Sequence, residues 1–343
     1  MSDARPKVAV FATGGTMASP AELGMGSIPR LTAEDLMATV PGLAAMADVS
    51  AISFRQAPSF ELTVPDLVEL VENIGRQVSA GATGTVVIQG SDCLEEIAFL
   101  LDLLWNGDQP IVVTGAMRNP SLPGADGPAN LVAAVRVALS TAARGLGSVV
   151  VFNDEIHAAR FVQKTHTSSP ATFRSTPTGP IGWISEGNVR VAVRPVGRHH
   201  VWPDRALVPS VALLKVGFGD DGRLLSSIAE RDYSGLVVEA LGGGHVPRTM
   251  VAPLQQLAAR IPVVLASRTG SGELLTHTYG FPGSESDLLD RGLIPAGYLT
   301  GLRSRLVLLL LLMRGSSREQ VAEAFRKVGT PGAGDLRLGT GKR

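Results

Sequence analysis

Thr13-Gly14-Gly15-Thr16, Gln89-Gly90-Ser91-Asp92 and Gly115-Ala116-Met117-Arg118 each stand directly after a short apolar run. Hydroxyls beside glycine can do nucleophilic chemistry, because glycine lets the backbone come close to a ligand while the neighbouring side chain points into the cleft. Thr16 is the first candidate nucleophile. Ser91 supplies a second hydroxyl and Asp92 a carboxylate. Lys164, in Q-K-T-H-T-S-S, stands among hydroxyls rather than carboxylates and would be a proton acceptor if it faced Ser91 and Asp92. Each has a plainer reading too. Gly-Gly can simply turn, Asp92 with Glu95 can be a capping box, and a lone lysine is usually a solvated charge.

For these residues to meet, the runs before them must be strands of one sheet that end on the same edge. Val8 to Ala12 has the length and branching of a buried parallel strand, and Thr85–Ile88, Pro110–Thr114 and Ser148–Phe152 repeat the pattern. Val49–Phe54 is a further strand. Helices are predicted from the Thr32 cap to about Val40, over 63–80, after Asp92, and from Asp126-Gly127-Pro128 to Leu139. In open α/β sheets ligands bind at the carboxyl edge of the strands. Residues 18–30, rich in glycine and proline, read as a mobile loop beside the site and a candidate lid. Val196–Pro209 breaks the rhythm and reads as a linker containing His199 and His200. The second half then restarts with strands at 211–216, 235–241 and 262–266, a buried helix at 306–313 and a capped helix at 316–328. The fold class is therefore α/β in two domains, 1–195 and 210–334, with a frayed tail at 335–343.

Composition narrows the ligand. Of 343 residues 45% are apolar but only 5% aromatic, the palette of Val, Leu, Ile and Ala that builds parallel sheets under helices. Basic and acidic residues balance at 31 each, which removes the electrostatic case for nucleic acid or an anionic membrane and favours a small neutral or zwitterionic ligand. The single cysteine, Cys93, can form neither an internal disulfide nor a paired zinc site. With no apolar leader before the first strand, a cytoplasmic location is expected.

The ordered set of motifs resembles the bacterial-type L-asparaginase/glutaminase family. It comprises T-G-G-T, G-S-D-x-L-E-E, V-T-G-A-M-R followed by A-D-G-P-x-N-L, N-D-x-I-H-x-A-R-x-V-x-K-T, E-A-L-G-G-G-H-V-P, S-R-T-G-S-G and G-L-I-P-A-G. The resemblance implies a larger amino-terminal parallel-sheet domain, a smaller carboxy-terminal Rossmann-like domain, and amide hydrolysis with no metal or cofactor. It also implies a homodimer or homotetramer with the site at a subunit interface. Residue by residue, it puts the nucleophile on Thr16, the second hydroxyl on Ser91, the substrate-ammonium carboxylate on Asp92 and the lysine on Lys164. Ser59 takes the substrate carboxylate, the Ala116 backbone contacts the scissile amide, and Glu285 enters a neighbouring subunit's site.

Some positions depart from the family pattern. Gln89 and Ser91 replace the common His and Thr of H-G-T-D, Phe60 and Gly243 stand where polar groups are usual, and the loop after Thr16 has no tyrosine. Tyr279, near Glu285, is a substitute that a neighbouring subunit could bring. Asparagine is the leading substrate, with glutamine or another small amide or lactam as the alternative. A regulatory amino-acid-binding protein without turnover is the reading from a different class. Cys93 at a helix start is a conceivable nucleophile, but no histidine is placed to serve it.

Overall fold

The computed structural model describes residues 5–14, 32–38, 40, 42–204, 207–332 and 337–338. It divides into two compact units, the first running to Pro195 and the second starting at Val196.

In the first unit the strands are β1 (Lys7–Ala12), β2 (Asp48–Ser53), β3 (Ala82–Ile88), β4 (Ile111–Thr114), β5 (Ser148–Phe152), β6 (Glu155–Ala158), β7 (Val162–Lys164), β8 (Phe173–Ser175), β9 (Gly182–Ser185) and β10 (Asn188–Val191). Eight of them form one sheet in the order β10-β9-β6-β5-β4-β3-β1-β2. Strands β1 to β5 run parallel through the register pairs Val8↔Val49, Val10↔Val86, Val87↔Val113 and Val112↔Val149. Strands β6, β9 and β10 are antiparallel, so the sheet is mixed rather than wholly parallel. The reason lies in Asn153 and Asp154, whose φ angles of 51° and 60° make a tight two-residue hairpin of the kind that needs left-handed backbone at both positions. Asn and Asp tolerate that conformation better than other non-glycine residues.

Helices α1 (Ala33–Ala38), α2 (Leu43–Met46), α3 (Val64–Ser79), α4 (Leu94–Leu104) and α5 (Gly127–Leu139) cover this sheet. Val8, Val10, Val86 and Ile88 join Leu36, Leu131 and Val135 in one core, fully shielded from water. Each such aliphatic side chain gains about 1.5–3 kcal/mol from burial. Helix α3 begins with a capping box between Thr63 and Asp66, and α1 with a reciprocal pair between Thr32 and Asp35.

The second unit contains β11 (His200–Val201), β12 (Val211–Lys215), α6 (Leu224–Ala229), β13 (Gly235–Ala240), α7 (Val251–Ala258) and β14 (Val263–Ser267). It continues with α8 (Glu285–Asp290), β15 (Ile294–Pro295), α9 (Gly301–Met313), α10 (Arg318–Val328) and β16 (Arg337–Leu338). Strands β12 to β15 form a parallel sheet in sequence order, which is a strand more than the apolar runs predict because β15 is only two residues long. Helix α9 is buried on nearly every side, so its sequence shows no polar face.

The stretches read as linker and tail differ from expectation. His200–Val201 pairs in parallel with Arg337–Leu338, and His199 and His200 are only 6% and 5% exposed. Both histidines and Val201 are thus shielded from water within the stretch read as a linker.

Candidate active site

The carboxyl ends of β1, β3 and β4 lie side by side. Thr13 directs both its N–H and its hydroxyl to the Ile88 carbonyl, at 2.9 and 3.2 Å, so this threonine is consumed by the sheet. Gly14 follows with φ of 108°, and a Cβ there would stand 2.5 Å from the Ala57 carbonyl oxygen, so only glycine fits. Thr16 and the predicted lid at 18–30 lie outside the described residues.

Past β3 the chain reaches Ser91 and Asp92. The Lys164 ammonium donates to the Ser91 hydroxyl at 3.0 Å and to Asp92 Oδ1 at 2.8 Å. Residues 72 and 73 positions apart are thus joined, because β7 and β8 form a hairpin in which Lys164 sits opposite Phe173. The lysine side chain is 17% exposed and that of Asp92 65% exposed, so the cation is largely sheltered while the carboxylate faces outward. Beside them opens a hollow of about 590 Å³ lined by Asp92, Lys164, Thr165, His166 and Thr167.

Asp92 and Glu95 do not form the capping box that their spacing suggests. Cys93 occupies the N-cap of α4 without a side-chain cap, and Glu95 Oε2 accepts the backbone N–H of Lys164 at 3.0 Å. Both acids are turned toward the lysine strand, whose charge and free N–H offer stronger partners than the helix's own first turn. Glu95 therefore holds the strand that carries Lys164, whereas sequence reasoning assigned it to local structure.

Ser59 is 3% exposed and lies on a one-turn 3₁₀ helix, Ser59–Glu61, where its hydroxyl accepts the Cys93 N–H at 3.3 Å. This ties the Ser59 turn to the residue after Asp92. Phe60, next to it, is 63% exposed. Burial and the nearby Glu96 carboxylate push the Cys93 thiol up from its usual range, against the hydrogen bond with Ser59, so the thiolate proposed for a helix start is disfavoured.

Ala116 follows β4 and is 1% exposed. The Asp126 carboxylate accepts the N–H of Met117 at 3.0 Å and of Arg118 at 2.8 Å. Asn130, one helical turn further along α5, donates to the Gly115 carbonyl at 3.0 Å and to Asp126 at 3.2 Å. Asp126 is the N-cap of α5 but its side chain makes no cap hydrogen bond. Sequence reasoning saw a helix start here. The available signal was the four-residue spacing of Asp126 and Asn130, which places both on one helix face.

In the second unit Glu285 is completely buried. Its carboxylate accepts the N–H groups of Thr278 and Tyr279 at 2.8 and 2.7 Å and lies 3.1 Å from His245 Nε2. Burial pushes this carboxyl up, but the backbone donors of Tyr279, Glu285 and Thr278 and the His245 ring outweigh it and hold the group below the usual range. Glu285 thus has no surface to offer a substrate and instead fixes the segment carrying Tyr279, which is 45% exposed and packs edge-on against His245 with ring centroids 5.0 Å apart.

Among the described residues no group of three or more His, Cys, Asp or Glu could hold a metal ion, and no helix is long and apolar enough to cross a membrane.

Residues 7–197 match the family described as "Asparaginase, N-terminal" and residues 210–325 the "Glutaminase/Asparaginase C-terminal domain". A probable L-asparaginase of Deinococcus radiodurans is 37% identical over 325 residues, 93% of this chain and 97% of that protein. An L-asparaginase of Bacillus licheniformis is 34% identical over 322 residues, 93% and 98% of the two chains. Among solved structures, a probable cytoplasmic L-asparaginase of Campylobacter jejuni superposes with a TM-score of 0.85 at 28% identity, covering 94% of this chain and 99% of that one.

Proposed function

The chain belongs to the asparaginase/glutaminase family of amidohydrolases, and we propose that it hydrolyses the side-chain amide of L-asparagine through a threonine acyl-enzyme on Thr16. The observation that carries this reading is the bridge from Lys164 to both Ser91 and Asp92, which follow β3, the neighbour of β1 in the sheet.

In this reading the Thr16 oxygen attacks the amide carbon and its proton passes to the Ser91, Asp92 and Lys164 set. Backbone N–H groups around the glycine turns hold the developing oxyanion. The C–N bond then breaks, ammonia departs with the proton, and water releases aspartate from the ester. Asp92, facing outward, takes the substrate ammonium. Ser59 takes its carboxylate, and the Ala116 backbone meets the scissile amide. No step calls for a metal or cofactor. A neighbouring copy in a cytoplasmic homodimer or homotetramer supplies Tyr279 in place of the missing loop tyrosine, with Glu285 holding it in position.

Phe60 favours a second substrate reading, since an exposed ring beside Ser59 suits a longer or less polar amide, such as glutamine or a lactam. Ammonia release measured over asparagine, glutamine and an amide lacking the α-amino group tests both. Highest kcat/KM on asparagine is expected. Preference for the substrate without the amino group would remove Asp92 from substrate binding, and tight asparagine binding without ammonia would favour a regulatory binder.

A further inference from the structure

Ala116 is buried, yet among the described residues neither its N–H nor its C=O makes a hydrogen bond. Buried backbone polar groups are nearly always paired, so an open donor and acceptor on one residue suit a ligand that carries both an acceptor and a donor, as a carboxamide does.

The peptides on either side explain how the pair is kept open. The C=O of Gly115 and the N–H of Ala116 belong to one planar trans peptide and point in opposite directions. Asn130 binds that Gly115 oxygen at 3.0 Å, which turns the Ala116 N–H away from α5. The C=O of Ala116 and the N–H of Met117 form the next peptide. Asp126 binds the Met117 N–H through both oxygens, at 3.1 and 3.0 Å, and so aims the Ala116 C=O away as well. Asp126 suits this task because an ionised carboxylate accepts several N–H groups and donates none. Asn130 is fixed in turn, its Oδ1 accepting the Asn153 N–H at 3.0 Å and its Nδ2 reaching Asp126. Gly115 is needed for the close fit, since a Cβ there would stand 2.5 Å from the Gln89 carbonyl oxygen.

We propose that Asp126 and Asn130 are positioning residues that orient the Ala116 peptide groups toward the substrate carboxamide, with the Ala116 carbonyl accepting an N–H of the amide and then of the departing ammonia. The inference rests on the assignment of Ala116 to the scissile amide made above. It adds that the bracket on α5 is specific to a nitrogen leaving group: an ester has no N–H to donate there, and its alkoxide leaves without this acceptor.

Asparagine and aspartate β-methyl ester distinguish the cases. On asparagine, Asp126→Ala should lower kcat/KM by roughly 30-fold and Asp126→Asn, which keeps one acceptor oxygen, by roughly 5-fold. On the ester both variants should stay within about 3-fold of the parent. Should Asp126→Ala fail to fold, Asp126→Asn alone decides, since it preserves size and one hydrogen bond. Equal losses on amide and ester in a folded variant would overturn the inference and leave the amidohydrolase reading standing. A parent protein that releases ammonia from no amide would overturn that reading and the inference with it.

Discussion

Asp92 and Glu285 are both carboxylates on motif positions, but they are built into opposite surroundings. The Asp92 side chain is 65% exposed and has one cation beside it, whereas Glu285 is sealed from solvent and bound by two backbone N–H groups and an imidazole. An exposed carboxylate with lone pairs to spare can take a ligand's ammonium group at little cost in desolvation. A buried one already engaged by two N–H groups and an imidazole is suited to holding structure. The contrast fits the proposed division, with binding and proton handling at the edge of the first sheet and loop positioning in the second unit.

The sharpest way to break this contrast is to exchange the expected losses. Lys164→Met should cut kcat on asparagine by about a thousandfold, the scale for removing a positioned proton-transfer group, while changing stability by less than about 1 kcal/mol. Glu285→Gln should do the reverse at its own unit and cost about 2 kcal/mol in chemical denaturation, because buried N–H donors lose a charged acceptor. A stable but inactive Glu285→Gln, or an unfolded Lys164→Met, would invert the assignment.

Acid titration sharpens it further. His157 is 1% exposed, with Nδ1 3.0 Å from the Ser175 hydroxyl, and burial followed by the charge of Arg174 lowers its pKa from 6.5 to about 4. A lowered histidine value means that the unfolded chain takes up the proton first as pH falls. Stability from this group is complete above 6.5 and declines by about 3 kcal/mol as pH approaches 4. Glu285, whose carboxyl is held below its ordinary 4.5, adds a loss of the same sign only at lower pH. His157→Gln should flatten the first limb and leave the second. The smallest effect is expected at Cys93, half-buried with its thiol pushed up, where Cys93→Ser should change kcat by less than about twofold.

What the sequence displayed clearly was whatever depends on local period. The runs ending at Ala12, Ile88 and Phe152 are mostly apolar because both faces of the sheet are covered, and each was readable as a strand. The Thr32 cap was legible for the same reason, since cap and partner lie three residues apart. Long-range pairing was not. Nothing near Glu95 announces that it will hold the Lys164 backbone 69 residues away, and the capping-box spacing gave a competing local explanation. Asp126 was absorbed into a helix start in the same way. The hairpin at Asn153-Asp154 was hidden because it lacks the glycine that usually marks such turns. His199 and His200 were read as linker residues because a two-residue strand is too short to show any pattern.

The most direct measurement is ammonia release from L-asparagine by the folded Thr16→Ala protein beside its parent. Loss of at least about a thousandfold in kcat, with asparagine still binding, is the predicted result. Release at the parent rate would place the nucleophile elsewhere and contradict the assignment of the first sheet's edge as the site of chemistry.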